Sequence, residues 1–223
     1  MSATAALQSP NHPGTVLWWP LGALAPRPCL RNEPAMTPDQ DSEHDQRLMA
    51  AIAAGDEPAL RRLMERHLAR VLALAQRILG DADEADDVAQ EVFTRVWRKA
   101  RGFDGRRARF STWLYRIAFN LCLDRRRGRR GEWQPLDDSL ADGGPDPSEI
   151  EERRQSRQLL AAALARLPVR HRAALALHYL QELSARESAQ VMGLGEKAFE
   201  SLVLRARRGL REQIQTAEEA RPS

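Results

Sequence analysis

The run Asp86-Asp87-Val88-Ala89-Gln90-Glu91 sets two carboxylates, an amide and a third carboxylate at positions i, i+1, i+4 and i+5. On a helix that spacing gathers all four on one side, an acidic, hydrogen-bonding face suited to a basic protein surface. The acids at Asp81, Asp83 and Glu84 just before it are explained by a helix start and its dipole; Gln90 and Glu91 are not. The opposite chemistry follows at once. Arg95, Arg98, Lys99, Arg101, Arg106, Arg107 and Arg109 are opposed only by Asp104, and Arg125, Arg126, Arg127, Arg129 and Arg130 form a second block. Guanidinium groups massed in this way point to a polyanionic partner. Near the C-terminus, Ser184 and Glu187 make a capping box, and Gly193 stands where a tight turn needs positive φ. Leu194 can plug the space between two helices, Ala189 lets them cross closely and Phe199 anchors the second. That is helix-turn-helix spacing, and Arg205, Arg207 and Arg208 one or two turns on favour DNA over a plain helical hairpin.

No enzyme is expected. His44, His67, His171 and His178 are isolated on helical stretches and His12 lies near the N-terminus. No nucleophile or acid/base constellation surrounds them, and neither a glycine-rich phosphate loop nor an H-E-x-x-H run occurs. Cys29 and Cys122 are far apart and lack metal-ligand spacing, so no metal or other cofactor is expected and a reducing cytoplasm is the natural home. Cys122, between Leu121 and Leu123, reads as a buried small hydrophobe. No apolar run nears the ~20 residues of a membrane span, so direct membrane insertion is not expected.

The elements that must position these residues are helical. The 223 residues carry 34 Lys+Arg and 31 Asp+Glu, a net +3, with 5% aromatics, and Leu, Ala and Arg dominate. An all-α chain is expected. Residues 1–40, with seven prolines, read as a disordered extension, and Met36 is a candidate start. Residues 41–130 form the first unit. Within it, Leu60, Leu63, Met64, Leu68, Val71, Leu72, Ala75 and Leu79 make one amphipathic stripe, opened by Asp56 and Pro58 and closed by Gly80. A second helix carries Val88 to Trp97. After a basic loop from Gly102 to Arg109, a third is expected to start at Ser111 or Thr112. Residues 131–152, holding eight acids, no base and several Pro and Gly, read as a flexible linker. Residues 153–216 form the second unit: one helix stopping before Pro168, another over Ala173 to Leu180, then the helix-turn-helix. Residues 217–223 are a tail.

Three stretches in this order carry a family resemblance over roughly residues 45–215. Asp86 to Trp97 resembles region 2.2 of sigma-70 factors, and Phe110 to Arg127 (FSTWLYRIAFNLCLDRRR) is similar to their regions 2.3 and 2.4. Glu182 to Arg207 looks like the region 4.2 helix-turn-helix. The resemblance is to the short extracytoplasmic-function (ECF) subgroup, which keeps only regions 2 and 4. It implies an alternative sigma factor that binds RNA polymerase core, recognises −10 and −35 promoter elements and promotes DNA melting. The different-class alternative is a helix-turn-helix regulator that binds duplex DNA without polymerase.

The resemblance also assigns roles. Asp86, Asp87, Gln90 and Glu91 would dock on the β′ clamp helices, with the β flap a further core contact. A flipped −10 base would be held by Phe103, Arg106, Arg107 and Arg109 in the loop, then by Tyr115, Phe119 and Asn120. Aromatic stacking on an extruded base is worth about 1–3 kcal/mol, and an Asn has the donor–acceptor pair to read a base edge. Trp113 and Ile117 are expected to face the core. Arg125, Arg126 and Arg127 would hold phosphates. The −35 contacts would come from Glu196, Lys197, Glu200, Ser201, Leu204, Arg205 and Arg208. This chain departs from the commonest pattern here: Glu200 and Leu202 stand where many members carry Lys and Arg, and Leu204 replaces a His. A cognate anti-sigma factor is implied as well. It would clamp the two units together, whereas polymerase spreads them.

Overall fold

The computed structural model of the protein describes residues 38–128 and 147–219. The expected N-terminal extension up to residue 37, Arg129 and Arg130 of the second basic block, most of the expected linker (131–146) and the last four residues lie outside it. Every regular element among the described residues is helical.

In the first unit, α1 (Pro38–Ala53), α2 (Glu57–Leu79), α3 (Ala82–Lys99) and α4 (Phe110–Gly128) follow one another, with a 3-10 turn at Ala100–Gly102. The boundaries have local causes. The Asp56 side chain accepts from the Ala59 N–H at 3.1 Å and starts α2, with Pro58 in its first turn. Gly80 ends it at φ 74°, its N–H donating to the Gln76 carbonyl. Asp81 then caps α3 by accepting from Glu84 N–H at 2.9 Å. The α2 stripe buries Leu63, Val71, Leu74 and Ile78 completely, each worth roughly 1.5–3 kcal/mol of transfer free energy. Helix α4 starts at Phe110, slightly ahead of the expected Ser111.

Sequence periodicity did not single out α1, which is pinned by polar bonds. Asp45 accepts from Arg66 Nε at 3.1 Å and lies 2.9 Å from His67 Nε2, both on α2, while Asp41 accepts from Arg66 Nη2. Burial opposes ionisation of Asp45. The hydrogen bond and charge of His67, with those of Arg66, outweigh it and hold the carboxyl below the usual range.

The second unit comprises α5 (Pro147–Ala165), α6 (Val169–Leu175) continuing into a π turn (Ala176–Leu180), α7 (Ala185–Met192) and α8 (Glu196–Glu219). Residues 147–152, expected as linker, are therefore the first turns of α5. A proline followed by acids is a favourable helix start, and that signal prevails over the segment's overall acidity. The capping box is closed: Glu187 N–H donates to Ser184 Oγ at 3.2 Å, and Ser184 N–H donates to Glu187 Oε2 at 3.0 Å. Gly193 turns the chain at φ 64°, and Leu194 N–H donates to the Ala189 carbonyl at 2.9 Å. A small cluster including Leu160, Leu164, Leu167, Ala206 and Leu210 fastens α5 to α8.

The two units touch. Helix α7 lies against α4, and α6 with its π turn lies against α2. Gln181 Nε2 donates to the Arg70 carbonyl at 3.0 Å, and Arg109 Nη1 approaches Glu187 Oε1 at 3.5 Å. Buried residues of both units, from Leu48 to Val203, form one apolar cluster.

Candidate nucleic-acid and protein interfaces

Helix α3 buries Ala85, Val88, Ala89, Val92, Phe93 and Val96, so its other side must face water. Asp86, Asp87 and Gln90 are exposed and Glu91 half-buried, as the spacing predicts. Glu91 accepts from Arg95 Nε at 2.8 Å; that hydrogen bond, with the charges of Arg95, Arg98 and Arg125, holds its carboxyl below the usual range. Trp97 continues the face, four and three residues beyond Phe93 and Thr94 and seven beyond Gln90, with 37% of its surface in water. A large exposed aromatic beside acids is a typical interface anchor. Its i+7 spacing from Gln90 was the available signal, masked because a tryptophan among apolar neighbours reads as core.

The acidic face adjoins the basic one. Arg125 of α4 donates to Asp87 Oδ2 at 3.0 Å, so the acidic and basic surfaces meet along the α3–α4 seam. The loop before α4 is organised by Asp104, which accepts from the N–H and the Nε of Arg106; these bonds and the neighbouring Arg107 hold its carboxyl low. Arg106 and Arg107 point into solvent, and Arg109 is exposed beside Glu187. Phe103 is half-buried in an aromatic group with Phe110 and Trp113, and His67 meets Phe110 edge-on at 5.1 Å. Trp113 and Ile117 pack against the core as expected.

Two predicted base-stacking residues are placed otherwise. Tyr115 is 1% and Phe119 2% exposed, both in the core, so neither ring faces solvent for a base to stack on. Burial pushes the Tyr115 phenol up to about 12 despite nearby Arg70. The reason is that α4 is covered by α2 and α3 on one side and by α7 on the other, so its buried arc is wider than one amphipathic stripe. Cys122 is buried too, its thiol pushed up to about 12 by desolvation. What α4 shows to solvent is Arg116, Asn120, Asp124 and Arg127. Arg116 belongs with Asn120 at i, i+4, a spacing that pointed to it. Arg125 and Arg126 are half-buried.

On α8, Phe199, Leu202, Val203, Ala206 and Leu210 face inward. Glu196, Lys197, Glu200, Ser201, Leu204, Arg205 and Arg208 are all exposed, as predicted. Leu204 keeps 59% of its surface in water. A capped helix, a glycine turn and an outward-facing row on the second helix are the geometry that enters a major groove.

Known proteins share this arrangement. Sigma-70 region 2 matches residues 63–132 and Sigma-70, region 4 matches residues 157–210. The ECF RNA polymerase sigma factor SigE of Mycolicibacterium smegmatis is 36% identical over 187 residues, covering 82% of this chain and 69% of that one. The ECF sigma factor RpoE of Cereibacter sphaeroides is 34% identical, covering 71% and 88%. The chain belongs to the ECF sigma factors of the sigma-70 family. Among solved structures, CnrH bound to the cytosolic domain of CnrY is similar to this ECF sigma factor at TM-score 0.59 and 26% identity, over 78% of this chain and 98% of that one. RpoE bound to the anti-sigma factor NepR, from Bartonella quintana, shares the fold at TM-score 0.56 and 22% identity, over 70% and 96%. As a sigma factor the chain serves transcription initiation, and the reading as a polymerase-independent regulator is not favoured. No helix of the described residues is long and apolar enough to cross a membrane.

Proposed function

We propose that this ECF sigma factor docks on RNA polymerase core, in the cytoplasm, through Asp86, Asp87, Gln90 and Glu91 of α3, extended by Trp97. The observation that carries this reading is the exposed acidic row sharing a seam with the arginine-bearing end of α4. One helix pair then offers charge-complementary surfaces to a basic protein and to a polyanion. Arg106, Arg107, Arg109, Arg116 and Arg127 hold phosphates around the −10 element, while Asn120 and the half-buried Phe103 meet a displaced base. The exposed row of α8 reads the −35 element. Glu200 is suited to accept from a cytosine amino group and repels phosphate, so the contacts should be fewer and more selective than with a Lys/Arg row. An anti-sigma partner is proposed to hold the two units in the compact arrangement.

The test is transcription in vitro with core polymerase alone and with core plus this protein on a promoter library. New start sites that require both the −10 and −35 sequences are expected. Duplex binding without polymerase, and no new starts with it, would overturn the reading.

A further inference from the structure

Asp45 of α1 and His67 of α2 are each only 4% exposed and take part in none of the proposed polymerase or DNA contacts. Burying such a pair is unfavourable unless it is well bonded. Asp45 Oδ2 lies 2.9 Å from His67 Nε2, and its Oδ1 accepts from Arg66. The carboxylate, held ionised by these bonds, can only accept, so Nε2 carries the proton between the two side chains. His67 Nδ1 has no partner among the described residues, which leaves Asp45 as the ring's hydrogen-bonding anchor. Beyond His67 the contacts are aromatic. His67 meets Phe110 edge-on at 5.1 Å, Phe110 meets Phe103 at 5.9 Å and 82°, and Trp113 closes the group at 5.2 Å from Phe103. Phe103 stands in the basic loop, outside any helix, between Gly102 and Gly105. A second contact runs beside the first. A Cβ on Gly105 would come within 2.9 Å of Gln46 Cδ, so the loop backbone rests on the residue that follows Asp45.

We propose that Asp45 and His67 are positioning residues for capture of a −10 base: they fix the ring of Phe110, and Phe110 with Trp113 fixes Phe103 at the angle a displaced base needs. The inference rests on the reading of Phe103 as a base-stacking side chain. A ring on a glycine-flanked loop has no helix to hold it, and a base that must first order the ring binds more weakly. Edge-on aromatic contacts have a preferred geometry, so each ring passes an orientation to the next and not bulk alone. Asp45 supplies the fixed end of that series. An apolar residue at position 67 would fill the space without setting an angle. The same series explains what α1 contributes: it reaches the base-holding loop through His67 on one side and Gln46 on the other.

His67→Leu is the test, because Asp45 keeps its bond from Arg66 and the core stays apolar. Holoenzyme is assembled from core polymerase and the full chain. Open complexes are scored by permanganate on a promoter recovered from the promoter library, intact or with single −10 bases made abasic. The parent should lose at least about fivefold at one abasic position, that of the stacked base. In His67→Leu the intact promoter should weaken roughly two- to tenfold, with core affinity unchanged, and the abasic penalty should fall to about half or less. A purely structural role lowers both templates alike; a penalty equal to the parent's therefore overturns the proposal. Para-fluorophenylalanine at position 103 reports the ring without DNA. Its fluorine resonance should move towards the unfolded value in His67→Leu, and an unmoved resonance also overturns the proposal. Phe103→Ala, expected to abolish the penalty, separates the two readings. A parent-like penalty in Phe103→Ala removes the base-stacking role and this inference with it, whereas a parent-like penalty in His67→Leu alone removes only the inference. Should His67→Leu fail to fold, Asp45→Asn decides by the same ratio and the same resonance.

Discussion

Reversal of one charge on α3 separates a docking role from a structural one. In Asp87→Lys the helix keeps its cap at Asp81 and its whole buried face, so the fold should survive. What is lost internally is the 3.0 Å pair with Arg125, whose partners both reach solvent. Pairs of that kind contribute about 0.2–1 kcal/mol, and the new like-charge contact adds a cost of the same size. For a chain of this length the two costs together correspond to a melting shift of at most about 8 °C. Docking should suffer far more. Turning attraction to a basic surface into repulsion costs about 3 kcal/mol, or roughly a hundredfold in affinity. The assay pairs thermal melting by circular dichroism with fluorescence anisotropy of the labelled protein against core polymerase. The double swap Asp87→Lys, Arg125→Asp rebuilds the internal pair with inverted sign. It should recover the melting temperature and leave core binding lost. Recovery of core binding in the double swap would refute direct docking, because Asp87 would then act only through Arg125.

Glu182, the one non-glycine residue with positive φ among those described, sits at 53°; Glu182→Gly should relieve about 1 kcal/mol of backbone strain and raise the melting temperature by a few degrees. Asp45→Asn should destabilise the first unit by about 2 kcal/mol at pH 7. Since the Asp45 carboxyl is held below its unfolded value, its contribution is present above about pH 4 and is lost as pH falls through the lower folded value. Chemical denaturation at several pH values should therefore show mutant and parent converging in acid, and a gap that stays constant contradicts the network. Glu187→Gln keeps an acceptor for the capping box while removing the charge opposite Arg109; labels on Ser156 and on α3 should report a modest shift towards longer separation, up to about fivefold in the open-to-closed ratio.

Local chemistry was readable from the chain, and its success follows sequence distance. The caps at Asp56, Gly80, Asp81, Ser184 and Gly193 are made within three or four residues of themselves. The exposed rows of α3 and α8 follow from one helical period. Failures begin where a second element decides. Tyr115 and Phe119 were expected at the surface, because nothing near them in sequence says that α7 lies over a helix already packed on α2 and α3. His67 read as isolated, yet it meets Asp45 twenty-two residues away and Phe110 forty-three away. A polar pair on facing helices carries no periodic signature, so the part played by α1 was invisible.

Contact between the units gives competition a physical basis. Arg109 belongs to the loop proposed to hold promoter phosphate, and in this structure it faces Glu187 of the helix-turn-helix. A phosphate that takes Arg109 withdraws it from the C-terminal unit. Yet an exposed pair at 3.5 Å is too weak to hold two domains by itself. The adhesion resides in the apolar cluster shared by both units and in the Gln181 bond to the Arg70 carbonyl. Opening must therefore expose hydrocarbon, and that cost has to be offset by the proposed contacts with core and with DNA.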